Sequence, residues 1–334
     1  MRYASVDAPF EVSIRDGELR APRPDEIGVR AVLSGVSVGT EVALYRGTIP
    51  TLRNSRWGYW TEFPIRPGYE LVGTVESRGS EITDVTEGDR VVCHTPHATA
   101  ATVNYEDYVR VPPGVSNEAA GMAMLGATTA HGIRAAGLRY GDRVLILGFG
   151  VVGLLSAEHA RRGGARQVYV ADPREWKREL AAARGFQAQF DPTSTTFAAE
   201  LLEATGGLGA DVIIEASGQA AAVTAALPTV RRGGRILLQG TQTQPVPIDF
   251  GDYPMHREIT FISVWGKGPA RQLGAGDETW SRKQHQELAM ELISRGELRV
   301  SDLITHRYPF DEIAAAYADI DRGDTDFLHV VLDY

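Results

Sequence analysis

The stretch VLILGFGVVGLLSAEHARRGG, residues 144–164, decides how the chain is read. An apolar run ends at Gly148, Gly150 follows, and Gly153 opens a segment with helical spacing, so G-x-G-x-x-G lies between a strand and a helix. Because the chain holds 36 glycines, the spacing alone says little and the context gives it weight. Gly148 permits a tight turn, Gly150 lets a pyrophosphate approach the backbone, and Gly153 lets the helix pack closely on the sheet. The helix N-terminus, at Val151 and Val152, then stabilises the phosphate charge. Asp172 ends the next strand, QVYVAD, where a carboxylate accepts both ribose hydroxyls. A carboxylate there repels a 2′-phosphate, which favours NAD(H), while Arg174 and Lys177 just beyond it keep NADP(H) possible. Ser217, in ASG, and Gly240, in QG, close later strands at the same carboxyl edge. The structural alternative is that the glycines only shape a βα turn and that Asp172 only caps the following helix.

Outward from this motif, apolar runs alternate with helical segments: QVYVAD, REWKRELAAARG, DVIIEASG, QAAAVTAALPTVRRGG and RILLQG. Strands apolar throughout and joined by helix-length crossovers indicate a parallel sheet buried on both faces, here an α/β domain over 121–266. Residues 1–120 read instead as short strands punctuated by Gly and Pro, an irregular β-rich unit. In the tail, two amphipathic helices flank a short extended piece, with too little apolar surface to stand alone. We expect 267–334 to complete the β-rich unit.

Composition narrows the function. The 334 residues carry 34 Lys+Arg against 43 Asp+Glu, a formal charge of −9, which argues against a nucleic-acid binder that needs a basic face. A 43% apolar, 23% charged chain folds as a globular protein. Neither a secretory h-region nor an apolar run of the ~20 residues a membrane span needs is present, so a cytoplasmic protein without membrane association is expected. The single cysteine, Cys93, rules out an intrachain disulfide and a four-cysteine zinc lobe.

The segments SGVSVGTE, PGYELVGTV, GDRVV, the glycine-rich fingerprint and ELISRGEL…LITHRYPFDEIAAAYADI, taken in order, resemble the medium-chain dehydrogenase/reductase superfamily over essentially the whole chain. The resemblance implies a GroES-like catalytic domain, split between the N-terminal unit and the tail, around a Rossmann NAD(P)-binding domain. It also implies hydride transfer to or from a nicotinamide in the cleft, and a homodimer joined through the strand region EITFISVWG. Zinc-dependent members carry Cys in place of Ser37, His in place of Tyr69, and a third ligand near Leu125. Hydroxyls and an aliphatic side chain are poor substitutes for thiolate and imidazole, so no zinc is expected. The N-terminal motifs are most similar to the subgroup containing bacteriochlorophyllide hydroxyethyl dehydrogenase, except for the insert TLRNSRWGYWTEFPIRP.

Without a metal, the oxygen that gains alkoxide character needs a hydroxyl donor within ~3 Å. Tyr69 is the expected donor or acid. Thr40, at the family's proton-relay position, is the relay, and Ser37 is a supporting hydrogen bond. Candidate substrate contacts are Glu41, Glu70, Trp57, Trp60 and His94. Cys93, His94 and His97 form a C-H-x-x-H cluster read as loop bonding or cleft lining rather than a metal site. The expected activity is an NAD(H)-dependent interconversion of a secondary alcohol and its ketone, on a polyol, cyclitol or biosynthetic intermediate. The alternatives are zinc-free reduction of an activated C=C by a quinone or enoyl reductase, and NAD(H) binding without turnover.

Overall fold

The structure is a computed structural model and describes residues 1–53, 60–186, 188–266 and 280–334. In chain order, the first part holds β1 (Arg2–Ala8), β2 (Glu11–Asp16), β3 (Glu26–Val36), α1 (Thr40–Tyr45), β4 (Leu71–Arg78), β5 (Arg90–Cys93), β6 (Ala100–Asn104), β7 (Tyr108–Arg110), α2 (Asn117–Gly121) and α3 (Ala123–Ala135). Next come β8 (Arg143–Leu147), α4 (Val151–Arg162), β9 (Gln167–Ala171), α5 (Glu175–Ala183), β10 (Ala188–Phe190), α6 (Phe197–Ala204), β11 (Ala210–Glu215), α7 (Ala220–Ala226), β12 (Val230–Leu238), α8 (Tyr253–His256) and β13 (Thr260–Ser263). The chain closes with α9 (Arg282–Ser294), β14 (Ile304–Pro309), α10 (Ile313–Arg322) and β15 (His329–Asp333).

Two compact units result, one of Met1–Ala127 with Lys267–Tyr334 and the other of Thr128–Gly266; the first division lies within α3, later than the composition shift at 120. In the first unit β14, β15, β3, β4, β5 and β7 lie side by side, and β6 pairs with β3. Strands β3, β4 and β5 enclose a core of Ile27, Val29, Leu71, Val75, Val91 and Tyr108. In a second cluster α10 packs Ile313, Ala316 and Tyr317 with Val36, Val42 and Val330.

The second unit is a six-stranded parallel sheet in the order β10-β9-β8-β11-β12-β13, with Val144, Leu145, Ile146 and Leu147 of β8 buried on both faces. The strand order reverses between β8 and β11, and such a reversal leaves a crevice for ligands beyond the carboxyl ends of the two strands. No described helix is long and apolar enough to cross a membrane.

Two local expectations give way. The helix read into QAAAVTAALPTVRRGG stops at Leu227, because Pro228 cannot continue it, and Val230 already begins β12. In the tail, His329–Asp333 form β15, which the helical reading omits; β15 pairs antiparallel with β3 in the sheet of the first unit.

Candidate active site and cofactor cradle

In the second unit the loops after β8, β9, β11 and β12 are stitched to one another. A Cβ on Gly153 would lie 1.8 Å from the Gly148 carbonyl oxygen, so only glycine lets α4 start this close to the strand. Gly148 has φ +87, and a Cβ there would stand 2.7 Å from Cβ of Ser217. Gly150 differs. Its φ of −75° suits any residue, and a Cβ on it would meet nothing closer than Lys177 Nζ at 3.9 Å. Protein packing gives no reason for glycine there, as expected of a surface reserved for a ligand that approaches the backbone.

Asp172 is buried; its carboxylate accepts the Phe149 N–H at 2.7 Å and the Arg174 N–H at 3.0 Å, and Lys177 Nζ lies 3.7 Å away. It therefore braces the glycine turn and the start of α5, while the Arg174 side chain is exposed. Val151 is buried and Val152 half-buried in the first turn of α4. Sequence reasoning missed Glu215. This buried carboxylate accepts the Ser217 N–H at 2.8 Å, the Gly218 N–H at 2.9 Å, the Ser217 hydroxyl and the Gln242 side-chain amide. Burial raises its pKa even though these donors favour the charged form. Gly240 lies against this bracket, since a Cβ on it would be 2.4 Å from Gly218 N. The signal was the carboxylate ending DVIIE, which a strand-only reading treats as solvent-facing.

In the first unit, the Ser37 and Thr40 hydroxyls are hydrogen-bonded with the Tyr69 hydroxyl, so the three expected catalytic residues meet at one point. Burial, and then the Glu70 and Glu41 carboxylates, hold the phenol well above its ordinary pKa despite the two hydroxyls. Tyr69 is thus a neutral donor throughout the physiological range. The Trp60 and His94 rings flank it with centroids 6.4 and 6.2 Å from its own. Trp57 lies outside the described residues.

Glu41 and Glu70 are fully buried, so the substrate contact expected of them is not compatible with this arrangement. Glu41 instead accepts the Ser37 N–H at 2.8 Å and bonds with His97 and Tyr317, while Glu70 lies 3.7 Å from the buried His329. Cys93 belongs to the sheet core, His97 is bonded inward, and His94 stands 3.7 Å from Asp107. Among the described residues no three His, Cys, Asp or Glu side chains are grouped to hold a metal ion.

Residues 23–103 match the alcohol dehydrogenase GroES-like domain and residues 151–279 match the zinc-binding dehydrogenase family. D-guloside 3-dehydrogenase of Escherichia coli K12 is 28% identical over 323 residues, 91% of each chain. The chain belongs to the medium-chain dehydrogenase/reductase superfamily. It is an NAD(P)-dependent alcohol dehydrogenase of that superfamily, with the GroES-like and Rossmann folds expected. L-galactonate-5-dehydrogenase of the same strain is 25% identical, covering 95% of this chain and 94% of its own. The solved alcohol dehydrogenase TADH from Thermus sp. ATN1 superposes with a TM-score of 0.80 at 24% identity, over 100% of this chain and 99% of that one.

Against this superfamily's zinc site the donor chemistry of this dehydrogenase does not fit. The positions that resemble the ligand positions carry two hydroxyls already bonded to each other and the buried, aliphatic Leu125. The Rossmann cradle fits a dinucleotide: the open face of Gly150 would take the pyrophosphate, with Asp172 and Lys177 beside the ribose.

Proposed function

We propose that this dehydrogenase is zinc-independent and moves a hydride between NAD(H) and a secondary alcohol or its ketone, on a polyol, cyclitol or sugar-like substrate. The observation that carries the reading is the hydroxyl cluster of Tyr69 and Ser37, which stand where zinc-dependent members keep ligands, with Thr40 at the proton-relay position. NAD(H), when bound, supplies or takes up the hydride. In ketone reduction negative charge develops on the carbonyl oxygen, and the neutral Tyr69 phenol donates to it. The proton is replaced through Thr40 or Ser37, both partly exposed. Alcohol oxidation runs the same path backwards: the substrate hydroxyl proton passes to Tyr69 as its own proton leaves through Thr40.

Trp60 and His94 give the flanks of this point an apolar, aromatic character suited to the C–H face of a sugar or ring alcohol. The names of the sugar-acting relatives agree with that class, and the N-terminal motifs keep the bacteriochlorophyllide-dehydrogenase-like subgroup as our assignment. The carboxylate of Asp172 favours NAD(H). The second unit leaves β13 as an edge strand with exposed Thr260 and Ser263, which suits a homodimer built by continuing the sheet.

The test is a panel of acyclic ketoses, keto-cyclitols, glycosides, quinones and enones followed by NADH absorbance, repeated with Tyr69→Phe. We expect turnover of a secondary alcohol or ketone, reduced about 10²- to 10³-fold in Tyr69→Phe with dinucleotide affinity unchanged. Full activity of the variant removes Tyr69 from the mechanism, and turnover confined to quinones or enones replaces the reaction class.

A further inference from the structure

His97, in the connection between β5 and β6, is fully buried and contacts Gly68, the residue before Tyr69, and Glu41, the residue after Thr40. Its N–H donates to the Pro67 carbonyl at 2.9 Å, and its ring passes so close to Gly68 that a Cβ there would lie 2.7 Å from ring Cγ and Cδ2. Gly68, at φ +98, is the residue that delivers the chain to Tyr69, so the imidazole backs the turn that presents the phenol. On its other side His97 Nε2 lies 2.9 Å from Glu41 Oε2, while Glu41 Oε1 holds the Ser37 N–H at 2.8 Å. The Tyr317 hydroxyl of α10 donates to the same carboxylate. Behind the ring, Ser34 Oγ lies 2.7 Å from Nδ1 and 3.0 Å from the Tyr334 hydroxyl.

The bonding sense follows from what each group can do. A carboxylate only accepts, so Nε2 carries the proton and donates to Glu41; Nδ1 then accepts the Ser34 hydroxyl, whose oxygen accepts from Tyr334. Every member then has a partner, and a buried polar network completed in this way holds its parts rigidly.

We propose that His97 is a positioning residue: through its Nε2–H bond to Glu41 and its packing under Gly68, it aligns the Ser37–Thr40 turn with Tyr69. The proposal rests on the reading of Tyr69 as the reacting donor. In a site without tetrahedral metal bonds, hydrogen bonds must hold the reacting groups, and a looseness of about 1 Å is enough to spoil such a constellation. His97 and Tyr317 lie far from Ser37 in sequence, and neither needs to meet substrate to act.

The test uses the full chain labelled with [ζ-13C]tyrosine, the Tyr69 resonance being assigned by its loss in Tyr69→Phe. His97→Asn keeps an acceptor near the Nδ1 position but loses the donor to Glu41, whereas His97→Gln keeps a donor near Nε2. We expect His97→Asn to displace the Tyr69 resonance and to speed amide exchange of residues 37–41 about tenfold or more, the scale set by losing a hydrogen bond to a charged group. His97→Gln should hold both near wild type, and Tyr317→Phe should displace the resonance in the same direction as His97→Asn. The proposal is overturned if His97→Asn and His97→Gln act alike, which marks simple packing, or if His97→Asn and Tyr317→Phe both leave the resonance in place. None of these readouts needs turnover. Full activity in Tyr69→Phe together with the expected shifts would end the functional reading and leave the positioning role standing.

Discussion

Acid should weaken the first unit through one side chain, His329. It begins β15, is buried in the sheet beside Glu70, and burial pushes its imidazole down to about 4 from 6.5, against the attraction of the Glu41 carboxylate. Because the folded pKa lies below the unfolded one, the unfolded chain binds the extra proton first as pH falls. Stability from this group is therefore complete above about pH 6.5 and is lost progressively toward pH 4. Two-state linkage with these two values gives a loss of about 2 kcal/mol between about pH 7.5 and pH 5. Replacing His329 by Gln removes the titration while keeping a polar side chain of similar reach. Urea titrations read by pulsed hydrogen exchange on peptides from β3 and β15 measure the stability at both pH values. The wild type should lose about 2 kcal/mol more than His329→Gln over that interval. Equal losses in the two proteins would refute the claim that His329 is held neutral by burial.

Other perturbations address the cradle and its brace. Gly153→Ala places a methyl group 1.8 Å from the Gly148 carbonyl oxygen, so α4 must move, and calorimetry should show dinucleotide binding weakened at least tenfold, about 1.4 kcal/mol; unchanged affinity would contradict the packing role. Asp172→Asn keeps acceptor capacity for one of the two turn amides but loses the charge. It should narrow the preference for NAD(H) over NADP(H) and destabilise the second unit by about 1–3 kcal/mol, read by paired cofactor titrations and denaturation.

What could be read from sequence was what local rules govern. The glycine fingerprint lies within one strand-turn-helix, so its spacing in that context carried the Rossmann unit, and the apolar runs around it carried the parallel sheet. Ser37, Thr40 and Tyr69 could be named from motif position, and the fold brings their hydroxyls together. The rest depended on contacts between distant segments. His97 looked like part of a C-H-x-x-H cluster because Cys93 and His94 are its neighbours in sequence, whereas its bonding partners Glu41 and Ser34 come from α1 and β3. Tyr317 reads as one more apolar position of an amphipathic helix; only α10 packing over α1 directs its hydroxyl to Glu41. Glu41 and Glu70 looked available to substrate because charged residues are seldom fully buried unless paired, and the imidazoles that accompany them come from elsewhere in the chain.

The most direct measurement is elemental analysis of the purified enzyme, joined to turnover before and after exhaustive dialysis against a zinc chelator. The account predicts zinc well below one per chain and an unchanged rate, because Tyr69, Ser37 and Thr40 handle the proton themselves. One zinc per chain, with activity lost on its removal and restored by its return, would contradict it.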